Sequence, residues 1–137
     1  MLAVRVLLCC LLYTCLAGCG YGRREEWLDN RPFHRIFDSF PALKGHGLKI
    51  YYFDGDCAFC IAKALEIEHS ATKAPGTSAV FVARTGTPDI LTYNFRNTGI
   101  TSPLIIDRDS LFAHYFQLNE ITNIDKAGRI LSREAVQ

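Results

Sequence analysis

The feature that most constrains this chain is a pair of cysteines three residues apart, Cys57 and Cys60. They follow the apolar run Leu48-Lys49-Ile50-Tyr51-Tyr52-Phe53. That run is aromatic and β-branched and lacks clean alternation, so it reads as a strand buried on both faces. After it, Cys60, Ile61, Ala64, Leu65 and Glu68 recur at helical spacing. The pair therefore sits where a strand turns into a helix. A thiol at a helix N-terminus meets orphan N–H groups and the positive end of the helix dipole, which favour thiolate over thiol. Cys57 is nearer that terminus and reads as the attacking thiol. Cys60, one turn on, would resolve the mixed disulfide.

The other four of the six cysteines, Cys9, Cys10, Cys15 and Cys19, fall at the start of the chain. There Arg5 is followed by an apolar run that ends in small residues. This is the shape of a secretory signal and is short for a bilayer span. The end of the run, Leu16-Ala17-Gly18-Cys19, resembles the lipobox of bacterial lipoproteins. That resemblance implies cleavage before Cys19 and lipidation of its thiol and amine. It divides the chain into a signal peptide (1–18), a lipid-anchored polar tether (19–31) and one domain (32–137) large enough for a single core. Cleavage would remove Arg5, one of 15 basic residues, and leave the rest balanced against 14 acidic ones. No charge excess points to nucleic acid, and acyl chains suffice for membrane contact. An exported chain works where disulfides form, and with Cys19 acylated only Cys57 and Cys60 remain to form one.

Along the domain, Phe33, Ile36, Phe37 and Phe40 have the spacing of a short amphipathic helix over 32–40. The helix after Cys57 should end near Pro75-Gly76. Further strands are expected at 79–83 and 104–106, with a helix over 88–96 closed by Asn97-Thr98-Gly99. Ser110 should cap a helix through Phe116. Residues 121–125 and 129–132 form a hairpin, with Gly128 supplying a positive φ in its loop. Strands alternating with helices favour parallel pairing, and the hairpin adds antiparallel strands. The expected fold is α/β, a mixed sheet covered by helices on both faces and closed by a β-hairpin.

Three segments carry a further likeness. Leu43-Lys44-Gly45 leads into 48–53, Cys57-Ala58-Phe59-Cys60 forms the CxxC, and Asn123-Ile124-Asp125-Lys126-Ala127-Gly128-Arg129-Ile130 forms the hairpin. With this element order, the chain resembles the thioredoxin superfamily over roughly residues 41–134, and within it the TlpA-like bacterial lipoproteins. Asp54-Gly55-Asp56-Cys57-Ala58-Phe59-Cys60 also resembles a second thioredoxin-like group, with the motif Asp-Gly-x-Cys-x-x-Cys. The resemblance implies thiol–disulfide exchange by Cys57 and Cys60 without a cofactor. It also implies a cis-proline facing the cysteines, but the matching position falls at Asn119 or Glu120, and a trans peptide is expected there. Tyr51 stands where a strand carboxylate is usual. Asp56 replaces the usual aromatic residue before the first cysteine, and with Asp54 it opposes thiolate formation. Glu120 is expected to add negative charge beside Cys57.

Two other readings of the pair are a static disulfide, which closes too short a loop to add much stability, and a metal site, which needs further ligands. His34, His46, His69 and His114 read as surface or core residues, with His46 at the end opposite the thiols. Asp107 and Asp109 read as the start of a helix. Trp27 and Tyr93 read as packing residues. The favoured reading is a lipid-anchored, extracytoplasmic thiol–disulfide oxidoreductase in a bacterial envelope, reducing disulfides of an exported protein. A chain of this size has no electron source, so the cycle requires an integral-membrane electron donor. The alternative is a non-enzymatic adaptor, or a metal-binding lipoprotein, that keeps the fold without the proline.

Overall fold

The computed structural model describes residues 24–136. Cys19 and the apolar run before it lie outside the described residues. Five strands form one sheet: β1 (Gly47–Asp54), β2 (Thr77–Arg84), β3 (Leu104–Ile106), β4 (Glu120–Ile124) and β5 (Ile130–Ala135). Their spatial order is β3-β2-β1-β4-β5. β1, β2 and β3 pair in parallel, while β4 runs antiparallel to both β1 and β5. This is the expected mixed sheet with a closing hairpin.

β1 is central and buried on both sides, which explains its lack of alternation. Leu48, Ile50 and Tyr52 face one cluster with Val80, Val82, Ile105 and Ile124. Tyr51 and Phe53 face the other with Ala79, Phe81 and Ala83. Helix α1 (Asn30–Ser39) covers the first face through Ile36 and Phe37. Helices α2 (Ala58–Ala71) and α3 (Pro88–Asn97) cover the second. α2 buries Cys60, Ala64, Ile67, Glu68 and Ala71, one stripe at helical spacing. Its alanines face a side of β2 that is itself alanine-rich, so the helix packs close to the sheet.

Three differences from the sequence reading have local causes. The helix expected from Ser110 is only a 3-10 turn, Phe112–His114. Ser110 has a φ of 57°, and the donors it was expected to cap go instead to Asp107, which accepts from the amides of Phe112 and Ala113 at 3.2 Å each. Next, residues 26–28, read as tether, are docked against the hairpin. Ile130 N–H donates to the Glu26 carbonyl at 2.7 Å, and Leu28 N–H to the Gly128 carbonyl at 2.9 Å. α1 starts early because Asp29 caps it, accepting from Arg31 N–H at 3.0 Å. Last, Trp27 and Tyr93 are 53% and 68% exposed and do not pack in the core.

Candidate functional site

The site is built where β1 ends. Cys57 N–H donates to the Asp54 carbonyl at 3.2 Å, and Gly55 N–H to the Arg84 carbonyl at 2.9 Å. A three-residue turn thereby carries the chain from strand to helix. Glycine is required at its centre by space: a Cβ on Gly55 would lie 2.5 Å from Leu91 Cδ2 and 3.1 Å from Thr85 Cβ. Asp54 Oδ1 accepts from Asp56 N–H at 3.0 Å, closing an Asx turn.

Cys57 is the N-cap residue of α2, and its sulfur accepts from Cys60 N–H at 3.2 Å. The two cysteines are joined in a disulfide, with Cα atoms 5.3 Å apart. Cys57 is half-buried and Cys60 buried at 3% exposure. That asymmetry suits sequential chemistry, since one cysteine is partly open to solvent and the other is buried. On reduction, the amide at Cys57 Sγ and the helix N-terminus around it both favour thiolate on the outer sulfur. Between the cysteines, Phe59 is 64% exposed. The ring is a large exposed apolar surface between the two cysteines. Its helical position toward solvent was the available signal, and sequence reasoning did not use it.

The acidic residues are arranged differently from expectation. Asp56 turns to the β2–α3 loop and accepts from Thr85 Oγ1 at 2.6 Å, Thr87 Oγ1 at 3.0 Å and Gly86 N–H at 3.1 Å. These bonds, led by that of Thr85, hold its carboxyl below its ordinary value. Asp56 therefore fastens the turn. Glu120 faces the α1 side of the sheet, not the thiols. Its carboxylate receives Arg133 Nη1 at 2.6 Å and Thr122 Oγ1 at 3.0 Å. Tyr51 lies on the Cys60 side, with its hydroxyl buried and unpartnered. Burial pushes that hydroxyl up to about 12, so it stays protonated.

Asn119 is one of the two positions, with Glu120, where the resemblance puts a cis-proline, and no peptide bond among the described residues is cis. Its φ is 62°, a left-handed conformation that asparagine tolerates better than most residues. Its N–H donates to the Tyr52 carbonyl at 2.8 Å, and its own carbonyl accepts from Val136 N–H at 2.8 Å. The side-chain amide oxygen lies 3.5 Å from Cys60 Sγ.

Among the described residues, no three His, Cys, Asp or Glu side chains converge as a metal site. His46 Nδ1 pairs with Ser78 Oγ at 2.9 Å beside the start of β1, the end opposite the thiols. Two clefts, one lined by Phe33, Phe37 and Lys126 and one by Phe95, Ile100 and Leu104, contain neither cysteine. Asp109 pairs with Arg35 at 2.6 Å on the surface.

No family model and no curated protein sequence matches the chain. Solved structures do. A thiol:disulfide interchange protein of the thioredoxin family from Chlorobium tepidum superposes with a TM-score of 0.57 at 17% identity, covering 70% of this chain and 73% of that one. A secreted Mycobacterium tuberculosis disulfide oxidoreductase homologous to E. coli DsbE gives 0.53 at 17%, covering 71% and 74%. The exposed lipoprotein thioredoxin of Streptococcus pneumoniae gives 0.56 at 15%, covering 71% and 79%. The fold is thioredoxin-like. Its CxxC stands at the strand-to-helix junction, as the sequence led one to expect.

Proposed function

We propose that this chain is an extracytoplasmic, lipid-anchored thiol–disulfide oxidoreductase that reduces disulfides of an exported partner protein. The observation that carries the reading is the Cys57–Cys60 disulfide at the N-terminus of α2, with Cys57 half-buried and Cys60 buried. In the reductive direction, the Cys57 thiolate attacks a partner disulfide and Cys60 resolves the mixed disulfide. Two electrons leave the pair in each cycle, and an integral-membrane donor returns them. Export and anchoring are supported by the apolar run ending in Leu16-Ala17-Gly18-Cys19. Similarity to a secreted oxidoreductase and an exposed lipoprotein thioredoxin is in keeping with that place.

The test is a pair of cysteine variants expressed with the native leader. Cys60→Ser should trap partners as mixed disulfides, and Cys57→Ser should not. In cells the native pair should be mostly reduced. Mass spectrometry of the membrane fraction should find an acylated N-terminal Cys19, and an unlipidated N-terminus elsewhere would remove the anchor from the reading. A non-enzymatic adaptor is the second reading, favoured by the lack of proline at Asn119 and Glu120. It gains the field if neither variant traps a partner and both cysteines are dispensable for the cellular phenotype.

A further inference from the structure

Asn119 is held more tightly than a loop residue needs to be. Hydrogen bonds on both its backbone groups fix it between the end of β1 and the chain after β5, and its positive φ sets where the side chain leaves the backbone. The result is an amide oxygen 3.5 Å from the buried sulfur of the pair. In the disulfide that sulfur carries no proton. In the dithiol it does, and the amide oxygen is an acceptor within the longer reach that sulfur donors allow. Tyr51, Glu68, Asp54 and Asp56 are ionisable groups on the Cys60 face of the sheet or flanking the pair. Tyr51 stays protonated. Glu68, two turns along α2, accepts from Thr101 and Ser102 through Oε1, while its Oε2 is buried without a partner. Asp54 accepts from the Asp56 amide, and Asp56 is turned to Thr85.

We propose that Asn119 is the third member of the redox site, its amide oxygen accepting the Cys60 S–H in the reduced protein and holding Cys60 protonated until a mixed disulfide forms on Cys57. The inference rests on the exchange reading above and adds a residue to it. Cys57 thiolate attacks a partner disulfide, forming the mixed disulfide and expelling one partner thiolate. Cys60 then gives up its proton, which ends on the expelled thiolate, and attacks the Cys57 sulfur. The Cys57–Cys60 bond forms and the second partner thiolate leaves, taking up the proton that Cys57 had earlier released to water. Because the S–H···O bond exists only in the dithiol, it stabilises the reduced pair and makes it more oxidising than it would otherwise be.

Glycine adopts the left-handed conformation freely, so Asn119→Gly removes the amide and keeps the backbone. Asn119→Asp keeps an acceptor and adds charge. Against a glutathione buffer, Asn119→Gly should shift the equilibrium toward the disulfide on the order of fivefold, or ~20 mV for a two-electron couple. Cys60 alone is read in a Cys57→Ser background by the pH midpoint of its alkylation. That midpoint should fall by about half to one unit in the glycine variant, since a hydrogen bond to the neutral thiol is lost, and should rise in the aspartate variant. Equal midpoints in all three proteins overturn the inference, and so do shifts of the two variants in the same direction, which report lost packing instead. If native protein fails to exchange with glutathione while the midpoints still rise from the glycine variant through the native protein to the aspartate variant, the hydrogen bond stands and the exchange reading falls.

Discussion

The Asp56 carboxylate and the Thr85 hydroxyl lie 2.6 Å apart and join the turn before the thiols to the loop before α3. Thr87 and Gly86 donate to the same carboxylate. Bonds to the charged form place the folded-state value of Asp56 below its ordinary 3.8. Its contribution is therefore fully present above that value and is lost as pH falls through the folded one. The amide of Gly86 should be protected from hydrogen exchange at pH 5 and lose that protection on further acidification. Asp56→Ala should abolish it at every pH, and unchanged protection in that variant would show that the loop holds itself.

Gly55 and Leu91 should behave as a coupled pair. Gly55→Ala drives a methyl group into the Leu91 side chain and should cost about 1–3 kcal/mol by overpacking. Leu91→Ala, at a position 1% exposed, should cost about 2–5 kcal/mol. Together they should cost less than the sum, because each relieves the other. Urea unfolding of the four proteins gives the coupling energy, and strict additivity would place the clash elsewhere.

Arg133 is the hub of the other sheet face. It donates to Glu120 at 2.6 Å, to Glu26 at 2.8 Å and to the Tyr115 carbonyl at 3.1 Å, and its guanidinium carbon stands 5.7 Å from the centre of the Phe116 ring. Arg133→Met would leave Glu120, 7% exposed, as an uncompensated buried charge, at a cost of about 3–5 kcal/mol. Adding Glu120→Gln should recover most of that loss. Denaturant midpoints of the single and double variants decide it, and no recovery would mean that the arginine acts through packing alone.

Phe59→Ser is expected to separate partner binding from chemistry at the sulfurs. Phe59→Ser removes an exposed ring, so folding stability should move by less than about 0.5 kcal/mol. Exchange with glutathione should be unchanged. Exchange with a protein disulfide such as insulin should slow several-fold, because only the larger partner reaches the ring. Equal slowing toward both substrates would assign Phe59 to the sulfur environment instead.

What can be read in advance is local in sequence. Leu104–Ile106 is legible in full, Pro88–Asn97 nearly so, and Gly128, with a φ of 94°, sits in its loop as a hairpin of that composition requires. The strand before the cysteines is legible from its aromatic and β-branched composition, and the helix after them from periodicity, each over a few residues. The contacts that finish the site are not. Asp56 meets the Thr85–Thr87 loop, and Asn119 meets Cys60, across long stretches of chain. Nothing in the residues around Asp56 announces that its carboxylate, still charged beside Cys57, also fastens the Thr85–Thr87 loop. Strand alternation, and not nearness in sequence to the turn facing the cysteines, decides where Glu120 points. With Thr122 and Ile124 facing the α1 side, a two-residue period puts it there too. The Ser110 helix failed because Asp107, buried at 6% exposure beside the Tyr52 hydroxyl, competes better for the amides of that turn.

Both margins of the sheet discourage strand addition. β3 is only three residues long and follows Pro103, which has no N–H to offer. β5 carries Arg133 and Glu134, and its first residue is already bonded to the docked segment at Glu26. Among the described residues, a foreign polypeptide therefore finds little edge backbone to zip onto. What stands clear of the sheet is the end of β1, where the exposed Phe59 ring projects beside the Cys57–Cys60 disulfide, so an approach to the sulfurs is end-on and not along a strand.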